Sequence, residues 1–425
     1  MKETVIEKIV NERTGESYYK VDHSSGLCLL LMPMEGYVQT YALFSTKYGS
    51  INRTFKTSGD EEFCTVPDGI AHYLEHKLFE NEDCAAFELY AKTGASANAY
   101  TGFERTSYLF SCSENYLESL KILTDLVQNP YFTQENVDKE RGIIAQEIRM
   151  SNDVPRRRVF FNLLKALYHE HPINTDIAGT EESIAEITPE LLYKCYNAFY
   201  DLHNMVLAVA GNLDVDEVIK HCDENLKPSK DVKVETKFPE EPDTVVTERV
   251  EENFSVGVPM FNIGFKCKAM PPEELLRKEM IADIMLNLLA GKSSELYRRI
   301  TDKQLMQVEL GREVFSGNGY FSLLLTGESE DPDAVLAEVW ECIDIAKEKG
   351  FDEHTFELNK KADYGATIQL LGYAETCAEE MTLAYYADKT CFDLEDMLAS
   401  ITLDDVNNAV KELFARDKCC ISVLR

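Results

Sequence analysis

His72-Tyr73-Leu74-Glu75-His76 puts two imidazoles and a carboxylate into one short span of the chain. The order H-x-x-E-H reverses H-E-x-x-H, the helical pattern in which two histidines hold zinc and a glutamate serves as base. On a helix, His72 and His76 stand four apart on one face, and Glu75 between them can reach the same metal. The chemistry offered is metal-assisted hydrolysis. A catalytic zinc normally takes three protein ligands and leaves a fourth position for water, so a third ligand must come from elsewhere. Glu140 and Glu147 lie seven residues apart in a stretch that reads as a long helix over 133–149. Seven residues make almost two turns, so both carboxylates project from nearly the same azimuth. One could ligate the metal while the other orients it.

The elements carrying these groups are legible in the apolar spacing. Pro67-Asp68 supplies a helix-start signal, and Ile70, Leu74 and Leu78 at spacing four form an inward stripe that leaves His72, Glu75 and His76 off it. Thr133 begins the second helix, with Val137, Ile144 and Ile148 as its buried side. The remaining histidines fit other roles better. His169 and His171 are two apart and followed by Pro172, which suits a loop or rim, and His23, His203, His221 and His354 stand alone.

At 425 residues the chain exceeds what a single core usually organises, so two domains of about 200 residues are expected. The first block, 1–226, predicts strands at 27–32, 37–44, 96–111 and 205–210. Its helices fall around the motif and at 84–93, 116–127, 134–150, 157–168 and 189–199. Residues 227–243 are rich in proline and charge and read as a linker. The second block, 244–425, repeats the order with a strand at 260–265, helices at 273–289 and 294–305, a strand at 320–325, further helices and a last strand. Each block looks like one copy of a duplicated α+β unit, and only the first carries the metal residues.

The 75 acidic residues against 43 basic ones leave a net charge of −32, which argues against any nucleic-acid or anionic-membrane partner. There is no apolar run of about 18 residues, and the N-terminus lacks the apolar core of a signal peptide, so a cytoplasmic location is expected. The 12 cysteines include no C-x-x-C, and Cys195, Cys222 and Cys342 sit in helix-like patterns that suit small buried thiols; Cys419-Cys420 reads as strand.

Taken together, these motifs resemble the pitrilysin family of metallopeptidases, which pairs H-x-x-E-H with a distal E-x-x-x-x-x-x-E. The resemblance spans essentially the whole chain. It implies one zinc ion per chain held by His72, His76 and Glu147, with Glu75 as general base and Glu140 as a supporting carboxylate behind the ligands. Asn98-Ala99-Tyr100-Thr101 resembles the family's substrate-binding edge strand, and Ala208-Val209-Ala210-Gly211-Asn212 the strand that closes its first domain. The implied fold is α+β: two homologous αβ-roll domains, each a mostly antiparallel sheet packed with helices, forming half of a clamshell chamber.

Many active members also carry R-x-x-x-x-L-x-Y in the second domain, which holds the peptide against zinc. Aligned on Gln304-Leu305, those two positions are Ile300 and Gln307 here, although Arg298 or Arg299 could compensate. Two-chain members divide the labour, and this chain resembles their zinc subunit. The resemblance therefore implies a zinc-dependent endopeptidase cleaving unfolded peptides or oligopeptides in an enclosed chamber. Its expected partner is a homologous subunit supplying the arginine and tyrosine, otherwise a second copy of itself. The alternatives are a processing peptidase that matures a ribosomal precursor peptide and a non-catalytic peptide-binding relative.

Overall fold

The structure, a computed structural model, describes residues 3–80, 82 and 86–425. Its architecture is α+β, built on two large sheets. The first contains β1 (Val5–Val10), β2 (Ser17–Asp22), β3 (Cys28–Pro33), β4 (Thr40–Thr46), β7 (Ser96–Thr101), β8 (Thr106–Cys112) and β9 (Met205–Gly211), in the order β1-β2-β3-β9-β4-β8-β7. Only β3 and β9 pair in parallel; the other pairs are antiparallel. A small sheet holds β5 (Thr54–Thr57), β6 (Cys64–Thr65) and β10 (Val234–Thr236). The second large sheet runs β11-β15-β12-β14-β13, from β11 (Arg249–Glu252), β12 (Met260–Lys266), β13 (Gly311–Gly317), β14 (Tyr320–Glu328) and β15 (Cys419–Leu424).

The first sheet is covered on both faces, which explains why β9 reads as an unbroken apolar run. Ala42, Phe44, Leu207 and Val209 face a core shared with Ile70, Leu74 and Leu78 of the motif helix Ile70–Leu78. The alternate residues, Tyr41, Leu43, Val206 and Ala208, face Ala378 and Met381 of the helix Ala374–Tyr386. In the second sheet, Phe261, Ile263, Phe265 and Leu323 pack against the helices Pro272–Ala290 and Pro332–Lys349. On its other face Gly264 admits the helix Pro155–Leu167, since a Cβ there would lie 2.7 Å from Leu167. Tyr168, just after that helix, shares a 2.6 Å hydroxyl hydrogen bond with Ser322 of β14.

The two compact units therefore interleave along the chain. Residues 149–175 group with the second sheet, and residues 368–394 with the first. The contiguous division expected from the sequence places 155–167 in the first block and 374–386 in the second. Each sheet has two apolar faces to bury, and one helix for each comes from the other sequence block. The stretch 227–243 likewise divides: residues through Lys237 belong with the first sheet, and those from Phe238 with the second. It is tied down along its length. Ser229 N–H donates to Ser25 O at 2.7 Å, Lys230 N–H to Asp201 at 2.8 Å, and β10 pairs with β5.

The residues predicted as one strand over 96–111 form the hairpin β7–β8, closed by Gly102 N–H donating to Arg105 O at 2.8 Å. Strand β13 was not anticipated. The helix expected over 84–93 is observed as Ala86–Thr93, and residue 84 lies outside the described residues. Among the described residues no helix is long and apolar enough to cross a membrane.

Candidate metal centre

The motif helix starts on a glycine for a steric reason. Gly69 has φ +86°, and a Cβ there would lie 2.4 Å from Ala178 O, so both its backbone angle and its close approach exclude a side chain. Asp68 contributes no side-chain cap to the helix; its carboxylate accepts from Arg53 Nη1 at 2.5 Å. From that start Ile70, Tyr73, Leu74, Lys77 and Leu78 are buried. Tyr73 Oη donates to Val137 O and Lys77 Nζ to Asn136 O at 3.2 Å, which fastens the motif helix to the helix Gln134–Asn152. Thr133 opens that second helix as expected, accepting from Asn136 N–H at 3.2 Å.

This docking brings His72, His76 and Glu147 together, with one ligating atom from each inside a cluster no wider than 4.8 Å. His72 Nε2 stands 3.6 Å from Glu147 Oε1, and His76 Nε2 stands 3.4 Å from Glu147 Oε2. The two imidazoles meet edge to face, with centroids 4.6 Å apart. Two imidazole nitrogens and a carboxylate oxygen make the donor set of a hydrolytic zinc site. The residues present fit zinc.

The seven-residue spacing of Glu140 and Glu147 puts them at different depths. Glu147 is 42% exposed, whereas Glu140 is 8% exposed and lies in the helix interface. Glu140 Oε1 sits 3.0 Å from His76 Nδ1. With the proton on Nδ1 donated to this carboxylate, the lone pair of Nε2 is left toward Glu147, the arrangement that orients metal-binding histidines. Burial alone would push the Glu140 carboxyl up, but His76, Lys77 and Glu80 together hold it below its ordinary value. Burial depresses His76 in turn, and the surrounding Glu140, Glu75 and Glu147 outweigh it and raise the imidazole.

Glu75 is buried and does not join the three-atom cluster. Its Oε2 accepts a 2.6 Å hydrogen bond from Thr101 Oγ1 of β7. Burial raises the Glu75 carboxyl above its ordinary value, with the Thr101 bond and His76 opposing and Glu147 adding to the rise. A carboxylate made more basic in this way suits proton abstraction near neutral pH.

Among the described residues β7 is an edge strand, paired only with β8, so its outer backbone groups face no neighbouring strand. Asn98, Ala99, Tyr100 and Thr101 all lie on it. Thr101 points to Glu75, Tyr100 Oη donates to Glu379, and Asn98 Oδ1 accepts from Ala99 N–H at 2.9 Å. Sequence reasoning missed Gly69, Lys77 and Glu80. A lysine on the buried stripe of an amphipathic helix was the available signal: Lys77 is fully buried and ion-paired to Glu80.

The other histidine pair forms no metal cluster among the described residues. The backbone N–H groups of His169, Glu170 and His171 all donate to the Glu241 carboxylate at 2.8–2.9 Å, and Lys266 Nζ adds 2.6 Å from a nearly buried position. That loop is a structural anion nest filled by the chain's own glutamate. In the second sheet's unit, Ile300 is a core residue and Gln307 is exposed. Arg299 is engaged by Glu295, Glu338 and Glu341, and Arg298 by Glu295.

Residues 66–181 match the family described as insulinase (peptidase family M16), and residues 186–362 match the peptidase M16 inactive domain. An uncharacterized zinc protease of Bacillus subtilis (strain 168), YmfH, is 37% identical over 422 residues, covering 98% of each chain. The solved structure of an M16-like peptidase from Alicyclobacillus acidocaldarius is 33% identical with a TM-score of 0.91, covering 100% of this chain and 99% of that one. Pitrilysin shares the fold at a TM-score of 0.76 and 16% identity, over 99% of this chain and 46% of its own.

Proposed function

Since the chain belongs to peptidase family M16, the pitrilysin family, we propose that it is a zinc-dependent endopeptidase acting on unfolded peptides or oligopeptides. The observation that carries this reading is the convergence of His72, His76 and Glu147, with buried Glu75 beside them and Glu140 behind His76. His72, His76 and Glu147 would hold the zinc ion, which would supply Lewis acidity toward a water and a scissile carbonyl. Glu75, oriented by Thr101, accepts the proton of the attacking water and returns it to the departing amine. Glu140 keeps the His76 proton on Nδ1. A peptide adds as a strand beside β7 at 98–101, where main-chain hydrogen bonds give affinity without demanding one sequence.

The reading includes a second, homologous subunit. Ile300 and Gln307 stand where a substrate-clamping arginine and tyrosine are expected, and Arg299 is already held by three carboxylates of its own unit. A partner bearing the pair completes the site, with a homodimer as the other arrangement. A cytoplasmic location suits the described cysteines, which are free thiols and, Cys64 apart, buried. The test is zinc content together with hydrolysis of a mixed peptide library, with and without such a subunit. A zinc-loaded protein that cleaves nothing in either arm refutes the proposal, and cleavage confined to one short precursor favours a dedicated processing role.

A further inference from the structure

Tyr100 and Thr101 leave β7 on opposite sides, and both are held. Thr101 donates to Glu75 on the motif-helix side. On the other side Tyr100 Oη donates to both carboxylate oxygens of Glu379, at 2.8 and 2.9 Å. Glu379 also accepts from Arg105 Nη2 at 2.7 Å, and Arg105 ends the turn that joins β7 to β8. The guanidinium carbon lies 5.3 Å from the Tyr100 ring centroid, so cation, ring and carboxylate form one closed cluster. Glu379 belongs to the helix Ala374–Tyr386, whose Ala378 and Met381 are locked into the core beneath the first sheet. It is 279 residues from Tyr100 and lies outside both family matches.

An edge strand that receives a peptide does so efficiently only if its backbone is already extended and still, because ordering it on binding subtracts from affinity. Among the described residues β7 has a neighbour on one side only, so its rigidity must come partly from its side chains. We infer that Glu379 is a positioning residue for substrate, holding the end of β7 through Tyr100 and Arg105 so that the strand is preorganised for peptide addition next to Glu75. The inference rests on the peptidase reading above. Its consequence is selective: loss of Glu379 weakens peptide docking, while zinc binding and the proton transfer by Glu75 remain.

Glu379→Gln removes the charge that gathers Tyr100 and Arg105 while keeping shape, and Arg105→Met breaks the same cluster from the hairpin side. With zinc-loaded protein and a mixture of internally quenched decapeptides, each variant is expected to raise KM about tenfold with kcat within about threefold, the pattern of lost uniform binding. The double variant should do little more than either alone, because the residues act as one unit. Hydrogen exchange supplies a readout independent of activity: amides of 96–101 should exchange about tenfold faster in both variants, with zinc content unchanged. An unchanged KM, or a fall in kcat alone, overturns the inference. If Glu379→Gln fails to fold, Arg105→Met carries the same test. Failure of the unsubstituted protein to cleave peptides both with and without a homologous subunit bearing the arginine and tyrosine overturns the peptidase reading instead, and the exchange arm still decides whether Glu379 stills the strand.

Discussion

Thr101 Oγ1 lies 2.6 Å from Glu75 Oε2, so the strand offered to a peptide also steadies the carboxylate offered as base. Glu75→Gln should retain zinc and lose peptide hydrolysis by about a hundredfold or more, the range of a general base. Thr101→Val should retain zinc as well and lower kcat/KM by about tenfold, the scale of one hydrogen bond to a charged group. Kinetics alongside metal analysis check both; full activity in Glu75→Gln excludes it as the base.

Purified protein should hold about one zinc per chain, and His76→Ala should lose most of it, because two donors do not make a stable site. Glu140→Gln should weaken zinc affinity by about ten- to a hundredfold, since it replaces the charged carboxylate that meets His76 Nδ1 with a neutral amide. Competition with a chelator measures both. An affinity in Glu140→Gln equal to that of the unsubstituted protein would leave Glu140 with no part in orienting the metal.

The Glu241 nest makes a prediction about stability and pH. Burial pushes the Glu241 carboxyl up, but Lys266 and three backbone N–H groups outweigh it and hold the group below its ordinary value. Burial also lowers Lys266, against the pull of Glu241. A folded value below the unfolded one means the contribution is complete above the unfolded carboxylate range and is lost as pH falls through the folded value. Glu241→Gln, which strands a buried ammonium, should cost about 3 kcal/mol at pH 7. The difference from the unsubstituted protein should narrow below about pH 4. Urea unfolding at the two pH values tests this, and a gap that widens in acid has the wrong sign.

Activity of the isolated chain should be weak. A homologous subunit bearing the arginine and tyrosine should raise kcat/KM by about one to two orders of magnitude, the scale on which an oriented donor acts. Size-exclusion chromatography with light scattering, run beside the peptidase assay, identifies the active species. A fully active monomer or homodimer would rule out the division of labour and direct attention to Arg298 and Arg299.

The sequence alone carried whatever depends on local period. His72 and His76 share a face because helices repeat every 3.6 residues, and Val137, Ile144 and Ile148 mark the buried side of the Glu140 helix for the same reason. The apolar runs of β9 and β12 were likewise legible, and so was the α+β class. Periodicity says nothing of what lies across a packed layer. That Gly69 must be bare depends on Ala178 O, more than a hundred residues away, and that Glu140 rather than solvent meets His76 depends on how two helices dock. Only strand order makes β7 an edge and sets Thr101 against Glu75. The helix carrying Glu379 joins the first sheet because that sheet has a second apolar face to bury, a demand that arises once the strands are assembled.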